Sequence, residues 1–105
     1  MADVLMVFVT CEGREQAEAI ATRVVEERLA ACVNVLPGVR SCYVWEKKLT
    51  WSDEVLLVVK TTRSGFERLK KRVVELHSYE VPEVVGVPVE VGLEKYLEWV
   101  RDGVD

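Results

Sequence analysis

Apolar residues along this chain change period several times, and each change marks an element. Val4 to Val9 is a continuous apolar run, the signature of a strand covered on both faces. After a break from Thr10 to Gly13, the residues Ala17, Ile20, Ala21, Val24, Val25 and Leu29 recur at three- and four-residue spacing. That spacing predicts an amphipathic helix, with Glu15 and Glu18 loading its start and Arg28 its end, as the macrodipole favours. A second strand region runs from Ala31 to about Trp45, and Pro37-Gly38 inside it requires a bend, a bulge or an edge. Beyond that break Tyr43 and Trp45 share one face, with Cys42 and Val44 on the other. Glu46 to Asp53 reads as a polar turn carrying Trp51, and Val55 to Val59 as a third, buried strand ending in Lys60-Thr61-Thr62.

The second half follows the same logic. Ser64-Gly65-Phe66-Glu67 has the form of a capping box, in which hydroxyl and carboxylate each satisfy an amide left free at a helix start. Phe66, Leu69, Val73 and Leu76 form the apolar stripe of that helix, which ends near His77 because Pro82 forces Val81 into extended backbone. Val84 to Val91 predicts a fourth strand, in which Pro88 requires an edge or an irregular end, and a short last helix turns Leu93, Tyr96, Leu97 and Val100 inward. The order strand, helix, strand, strand, helix, strand predicts an α+β, ferredoxin-like βαββαβ fold: one antiparallel sheet, two helices on one face, plus a short C-terminal helix. With 105 residues the chain is read as a single domain over 1–105. Because that fold hosts many activities, function has to be sought in particular residues.

Charge narrows the partners. The net charge is −4 and the pI about 5.1. Lys47-Lys48 and Lys70-Lys71-Arg72 are the basic groups, and Glu46, Asp53, Glu67 and Glu75 stand beside them. Duplex nucleic acid and anionic membranes both select clustered positive charge, so neither is an expected partner. No stretch approaches the ~20 apolar residues needed to cross a bilayer, and Met1-Ala2-Asp3 lacks the positive start of a secretory signal. Three cysteines (Cys11, Cys32, Cys42) with no Cys-x-x-Cys pair make neither a disulfide framework nor a zinc finger. A reducing cytoplasm suits them, with Cys32 expected to be buried and inert.

The pattern holds no nucleophile elbow, no glycine-rich phosphate loop and no His-Glu-x-x-His, so no enzymatic activity is expected. His77, Glu80 and Glu83 place one imidazole and two carboxylates within seven residues, a candidate ligand set for a divalent ion. One subunit supplies fewer than the usual four ligands, and the alternative is an ordinary turn in which His77 caps its helix. Tyr43, Trp45 and Trp51 on the central hairpin are costly to leave in water, and a two-helix layer covers only one sheet face. The alternatives are core packing within one subunit and association between subunits, and the uncovered sheet face with the bent aromatic hairpin favours association. Lys60, closing an apolar strand, is a snorkelling surface lysine or a pocket cation; in the second case it lines an intersubunit cleft with Tyr43 and Trp45.

Six segments in order, spanning nearly the whole chain, resemble the CutA family. They are Glu27 to Asn34, Pro37-Gly38, Ser41 to Glu46, Glu54 to Thr61, His77-Ser78-Tyr79-Glu80-Val81-Pro82-Glu83, and Tyr96-Leu97-x-Trp99. The resemblance implies a tight homotrimer like that of the PII signalling proteins and a link to tolerance of divalent cations, copper especially. It implies copper or another divalent cation weakly bound, and neither an organic cofactor nor an established reaction. Ser78 stands where the family usually has proline, and Lys47 where glycine is common. A cysteine reported to ligate copper in some members aligns with Val9, and Cys11 falls beyond it, which leaves His77 with Glu83 as the expected donors. Two other readings stay open: a PII-like sensor of a small metabolite or nucleotide, and a structural trimer that anchors another protein.

Overall fold

The structure, a computed structural model, describes residues 3–105; Met1 and Ala2, where the absence of a secretory start was read, lie outside the described residues. The elements run β1 (Val4–Cys11), α1 (Arg14–Glu26), β2 (Cys32–Trp45), β3 (Lys48–Thr62), α2 (Phe66–Leu76), β4 (Val85–Pro88) and α3 (Glu94–Asp102). One antiparallel sheet has the order β2-β3-β1-β4, the interleaved pairing of the split βαβ arrangement.

Alternation along the strands separates two sheet faces. Leu5, Val7, Val9 and Cys11 of β1 sit opposite Thr61, Val59, Leu57 and Val55 of β3 and turn toward α1 and α2. Ala17, Ile20 and Val24 of α1 and Leu69 and Val73 of α2 close over them, forming the main core. Cys11 therefore lies within β1 and is fully buried, although the sequence pattern ended that strand at Val9. The other face shows Met6, Phe8, Leu56, Val58 and Lys60, and among the described residues no helix covers its middle. Only at one end does α3 reach it, packing Leu97 and Val100 on Val4.

Several expected details differ. The connection between β2 and β3 is Glu46-Lys47 alone, not the whole stretch to Asp53. Lys48, Thr50 and Ser52 alternate with Leu49, Trp51 and Asp53, so a period of two carries the ladder to the tip. Both turn residues have positive φ, 49° and 66°, the backbone that a two-residue hairpin turn demands. The capping box does not form: Gly65 is the N-cap and no side chain caps the helix start, while the Gly65 amide donates to the Thr62 hydroxyl (3.1 Å). Helix α1 stops at Glu26, and Arg28, at φ 59°, lies beyond it with its guanidinium on Asp105. Strand β4 spans four residues rather than the expected eight; it lies at the sheet edge and Pro88 is its last residue. On α3, Tyr96 is exposed and Leu93 precedes the helix in the open, because only Leu97 and Val100 reach the sheet.

The break at Pro37-Gly38 shapes the hairpin. Leu36 pairs with Leu56 and Val39 with Glu54, so two residues of β2 oppose Val55 alone, with Gly38 at φ 87°. This bulge shifts the parity of β2: Cys32, Asn34 and Leu36 share the open face with Val39, Ser41, Tyr43 and Trp45. Strand β1 pairs with β3 only from Val55 onward, so residues 39–54 continue as a two-stranded ribbon without a third strand.

Candidate functional site

The turn that follows α2 is held by three consecutive side chains, each bonded to a different place. His77, at the helix C-cap, is buried, and its Nε2 donates to the Thr10 carbonyl (2.8 Å). Its Nδ1 accepts from the Tyr79 amide (3.0 Å), so the two partners together place the ring hydrogen on Nε2. Ser78 donates from its hydroxyl to Glu12 (3.2 Å), and the Tyr79 hydroxyl donates to Glu54 Oε2 (2.7 Å). The Tyr79 ring also lies 4.6 Å from the imidazole, centroid to centroid. Burial, and then the bond and charge of Glu54, push the Tyr79 phenol above its ordinary range. Burial likewise pushes the Cys11 thiol up to about 11, helped by the carboxylates of Glu54 and Glu12.

This geometry bears directly on metal binding. Both ring nitrogens of His77 are engaged inside the chain, so neither offers a free lone pair to an ion in this arrangement. Glu80 and Glu83 are exposed on the same turn. Among the described residues no three His, Cys, Asp or Glu side chains converge as a cation site, so His77, Glu80 and Glu83 are neighbours in sequence without forming a preformed ligand set. An ion could recruit the imidazole only by displacing the Tyr79 amide.

The expected cleft residues are also apart within one chain. Tyr43 and Trp45 lie near the hairpin tip, opposite Thr50 and Lys48, and both are exposed. Lys60 lies at the other end of β3, between Met6 and Cys32, with its ammonium on the Asn34 side-chain oxygen. Ten residues of strand separate Lys60 from Thr50, about 33 Å at the usual rise. Any cleft containing all three takes them from different copies. On the opposite face of the ribbon Trp51 pairs with Cys42, and the Arg40 guanidinium lies 5.3 Å from the indole centroid while also meeting Asp53 (3.2 Å).

Sequence reading missed the Glu54–Tyr79 bond and the apolar tip residue Leu49. The period of two through 48–54 could have revealed Leu49. Nothing local could have linked Glu54 to Tyr79, which are 25 residues apart.

Comparison with known proteins agrees along almost the whole chain. A family model described as "CutA1 divalent ion tolerance protein" matches residues 5–103. The divalent-cation tolerance protein CutA of Thermus thermophilus is 47% identical over 97 residues, covering 92% of this chain and 94% of that protein. Protein CutA of Homo sapiens is 48% identical over 94 residues, 90% of this chain, but this chain spans only 52% of the human protein's length. A plant relative, the chloroplastic protein CutA of Arabidopsis thaliana, is likewise matched over 54% of its length. Among solved structures, CutA from Xylella fastidiosa superposes with a TM-score of 0.97 at 40% identity, over 99% of this chain and 100% of that one.

Proposed function

The chain belongs to the CutA1 family of divalent ion tolerance proteins, and from that premise we propose that it acts as a homotrimer that responds to divalent cations, copper foremost, without catalysing a reaction. The observation that carries the oligomer is the hairpin: residues 39–54 form a bare two-stranded ribbon with Tyr43, Val44, Trp45, Leu49 and Trp51 all exposed. A ribbon of two strands is marginal by itself, and apolar surface of this kind calls for cover.

Cation binding in this reading is weak and centred on the turn after α2. Glu80 and Glu83 supply exposed oxygens, and His77 joins only when its bond from the Tyr79 amide opens, a rearrangement that lowers affinity. Copper binds better than zinc on such donors. The unpaired thiols suit a reducing compartment, and we place the protein in the cytoplasm. Relatives are named for other compartments, chloroplastic in Arabidopsis and periplasmic in Archaeoglobus.

A second reading, a sensor of a small metabolite or nucleotide, draws support from Lys60. This cation sits part-buried in an otherwise largely apolar open face, and an oligomer would bring it toward Tyr43 and Trp45 of another copy. Titration calorimetry on metal-free protein with Cu²⁺, Zn²⁺ and a nucleotide panel, beside light scattering, tests both. A trimer mass and saturable copper binding support the first reading. Nucleotide binding that quenches tryptophan fluorescence in the presence of chelator supports the second, and a monomer mass overturns both.

A further inference from the structure

The buried apolar side chains fall into two separate cores. The larger lies between the sheet and the α1–α2 layer. The smaller consists of Val4, Leu97 and Val100, with Ala31 and Val89 packed at its margin, and it is where α3 meets the sheet. Polar groups add to that attachment. Arg101 of α3 donates to the carboxylates of Asp3 and Glu94, each at 2.8 Å. Beyond the helix, the Arg28 guanidinium donates to the Asp105 carboxylate and the Asp102 carbonyl, both at 2.7 Å, and Arg68 of α2 donates to the Asp105 main-chain oxygen. Packing beside α3 is open. Cavities of about 470 and 400 Å³ flank it, and Asp3 and Arg101 line both, so this ion pair stands between them.

We propose that α3 with the tail to Asp105 is a flap that opens as one unit while the sheet and the α1–α2 layer stay folded, with the Arg101–Asp3 pair as its latch. Its apolar anchor is small: Leu97 and Val100 are buried, whereas Tyr96 and Trp99 are exposed. Its polar ties are wet, with side-chain exposures of 33% for Arg101 and 52% for Arg28, and pairs of that kind add little each. Segments tied this weakly open at a fraction of the global unfolding free energy. A helix of nine residues does not persist alone in water, so leaving the sheet melts it. The linker from Val89 to Leu93 has no regular structure, and a Cβ on its Gly92 would meet the Leu97 side chain at 3.3 Å. Opening uncovers Val4, Ala31 and Val89 and joins the two cavities into one groove with an apolar floor.

Labelling of one buried thiol in each core tests this in the full chain. Val100→Cys places a thiol at a fully buried position of α3, and the native Cys11 is its fully buried counterpart in the main core. With excess thiol reagent under native conditions and peptide mass mapping, the Val100→Cys thiol should react at least ~100-fold faster than Cys11, because the flap opens without global unfolding. Adding Arg101→Met should speed it about five- to tenfold further and leave Cys11 unchanged. Asp3→Asn replaces Arg101→Met if circular dichroism shows that variant unfolded. Hydrogen exchange on the unsubstituted protein removes any effect of the new cysteine: the α3 amides should share one opening free energy that urea scarcely changes, since little surface is exposed. Equal labelling of the two thiols, or a latch variant that speeds both alike, would show that α3 opens only with the whole chain and overturns the flap. Amides that exchange one by one inward from Asp102 indicate fraying and overturn it too. A latch variant that changes neither rate overturns the role of Arg101.

Discussion

Leu57 and Leu49 lie on the same strand, in the same parity, eight residues apart, yet one is fully buried and the other is 72% exposed. Around Leu57, β3 has β1 and β2 on either side and the α1–α2 layer above it. Around Leu49 it has β2 alone. Strand formation is thus the same local event at both ends, but its consequences differ entirely. In the core, alternation converts directly into burial. In the ribbon the same alternation produces a ladder that is hydrogen-bonded but uncovered, with apolar side chains on both faces. The core is complete within one chain, whereas the ribbon leaves its apolar side chains uncovered by that chain.

Four measurements probe that contrast. The largest effect is expected from Leu57→Ala, which opens a cavity in a closed core and should cost about 2–5 kcal/mol in urea unfolding. Leu49→Ala should cost less than ~0.5 kcal/mol under conditions that keep the chain monomeric. Equal costs would mean that the ribbon packs on its own chain.

The strap over the sheet end comes next. Tyr79→Phe leaves the Glu54 carboxylate, 9% exposed, without its donor, and should cost about 1–3 kcal/mol. His77→Ala removes two hydrogen bonds from a buried site and should cost a similar ~1–3 kcal/mol, more than a simple helix-end charge would. Thermal melts of the two variants, with copper titrations of His77→Ala at pH 7.5 and 5.5, measure this. A strong loss of copper affinity without loss of stability would make His77 a ligand rather than a brace.

Thiol labelling gives a finer contrast. Cys42, exposed on the ribbon, should react first with a thiol reagent at pH 8, and Cys11 last, since burial both shields it and lifts its thiol to about 11. Cys32, expected to be the inert thiol, is only part-buried on the open face, so its labelling should fall between them and slow on oligomerisation. Fast labelling of Cys11 in folded protein would contradict the closed core.

The smallest effect concerns the link between the two core helices. Arg72 grips Glu27 with two nitrogens, at 2.9 and 3.0 Å, and this bond holds the Glu27 carboxyl below its ordinary value. A carboxyl lowered in the folded state stabilises above its unfolded value, and that contribution fades as pH falls through the folded value. Melting temperature should therefore fall on acidification below about pH 4.5 slightly more in wild type than in Arg72→Met. Parallel curves would show that solvent screens the pair fully.

The order of elements, the two apolar helix stripes, the break at Pro37-Gly38 and the edge or irregular end required by Pro88 were all legible in the sequence. Each of these depends on periodicity or on the backbone restrictions of single residues, which are local properties. Six spaced segments also carried the family to which the chain belongs. Which strand residues meet water was settled only by folding. The bulge that returns Tyr43 and Trp45 to the open face depends on pairing with β3, not on β2 itself. His77 likewise gained its partners from the tertiary structure, since Thr10 lies 67 residues away. A histidine close to two carboxylates has the same local chemistry whether it binds an ion or braces a turn. The difference is whether its two nitrogens already have partners, and those partners arrive by folding.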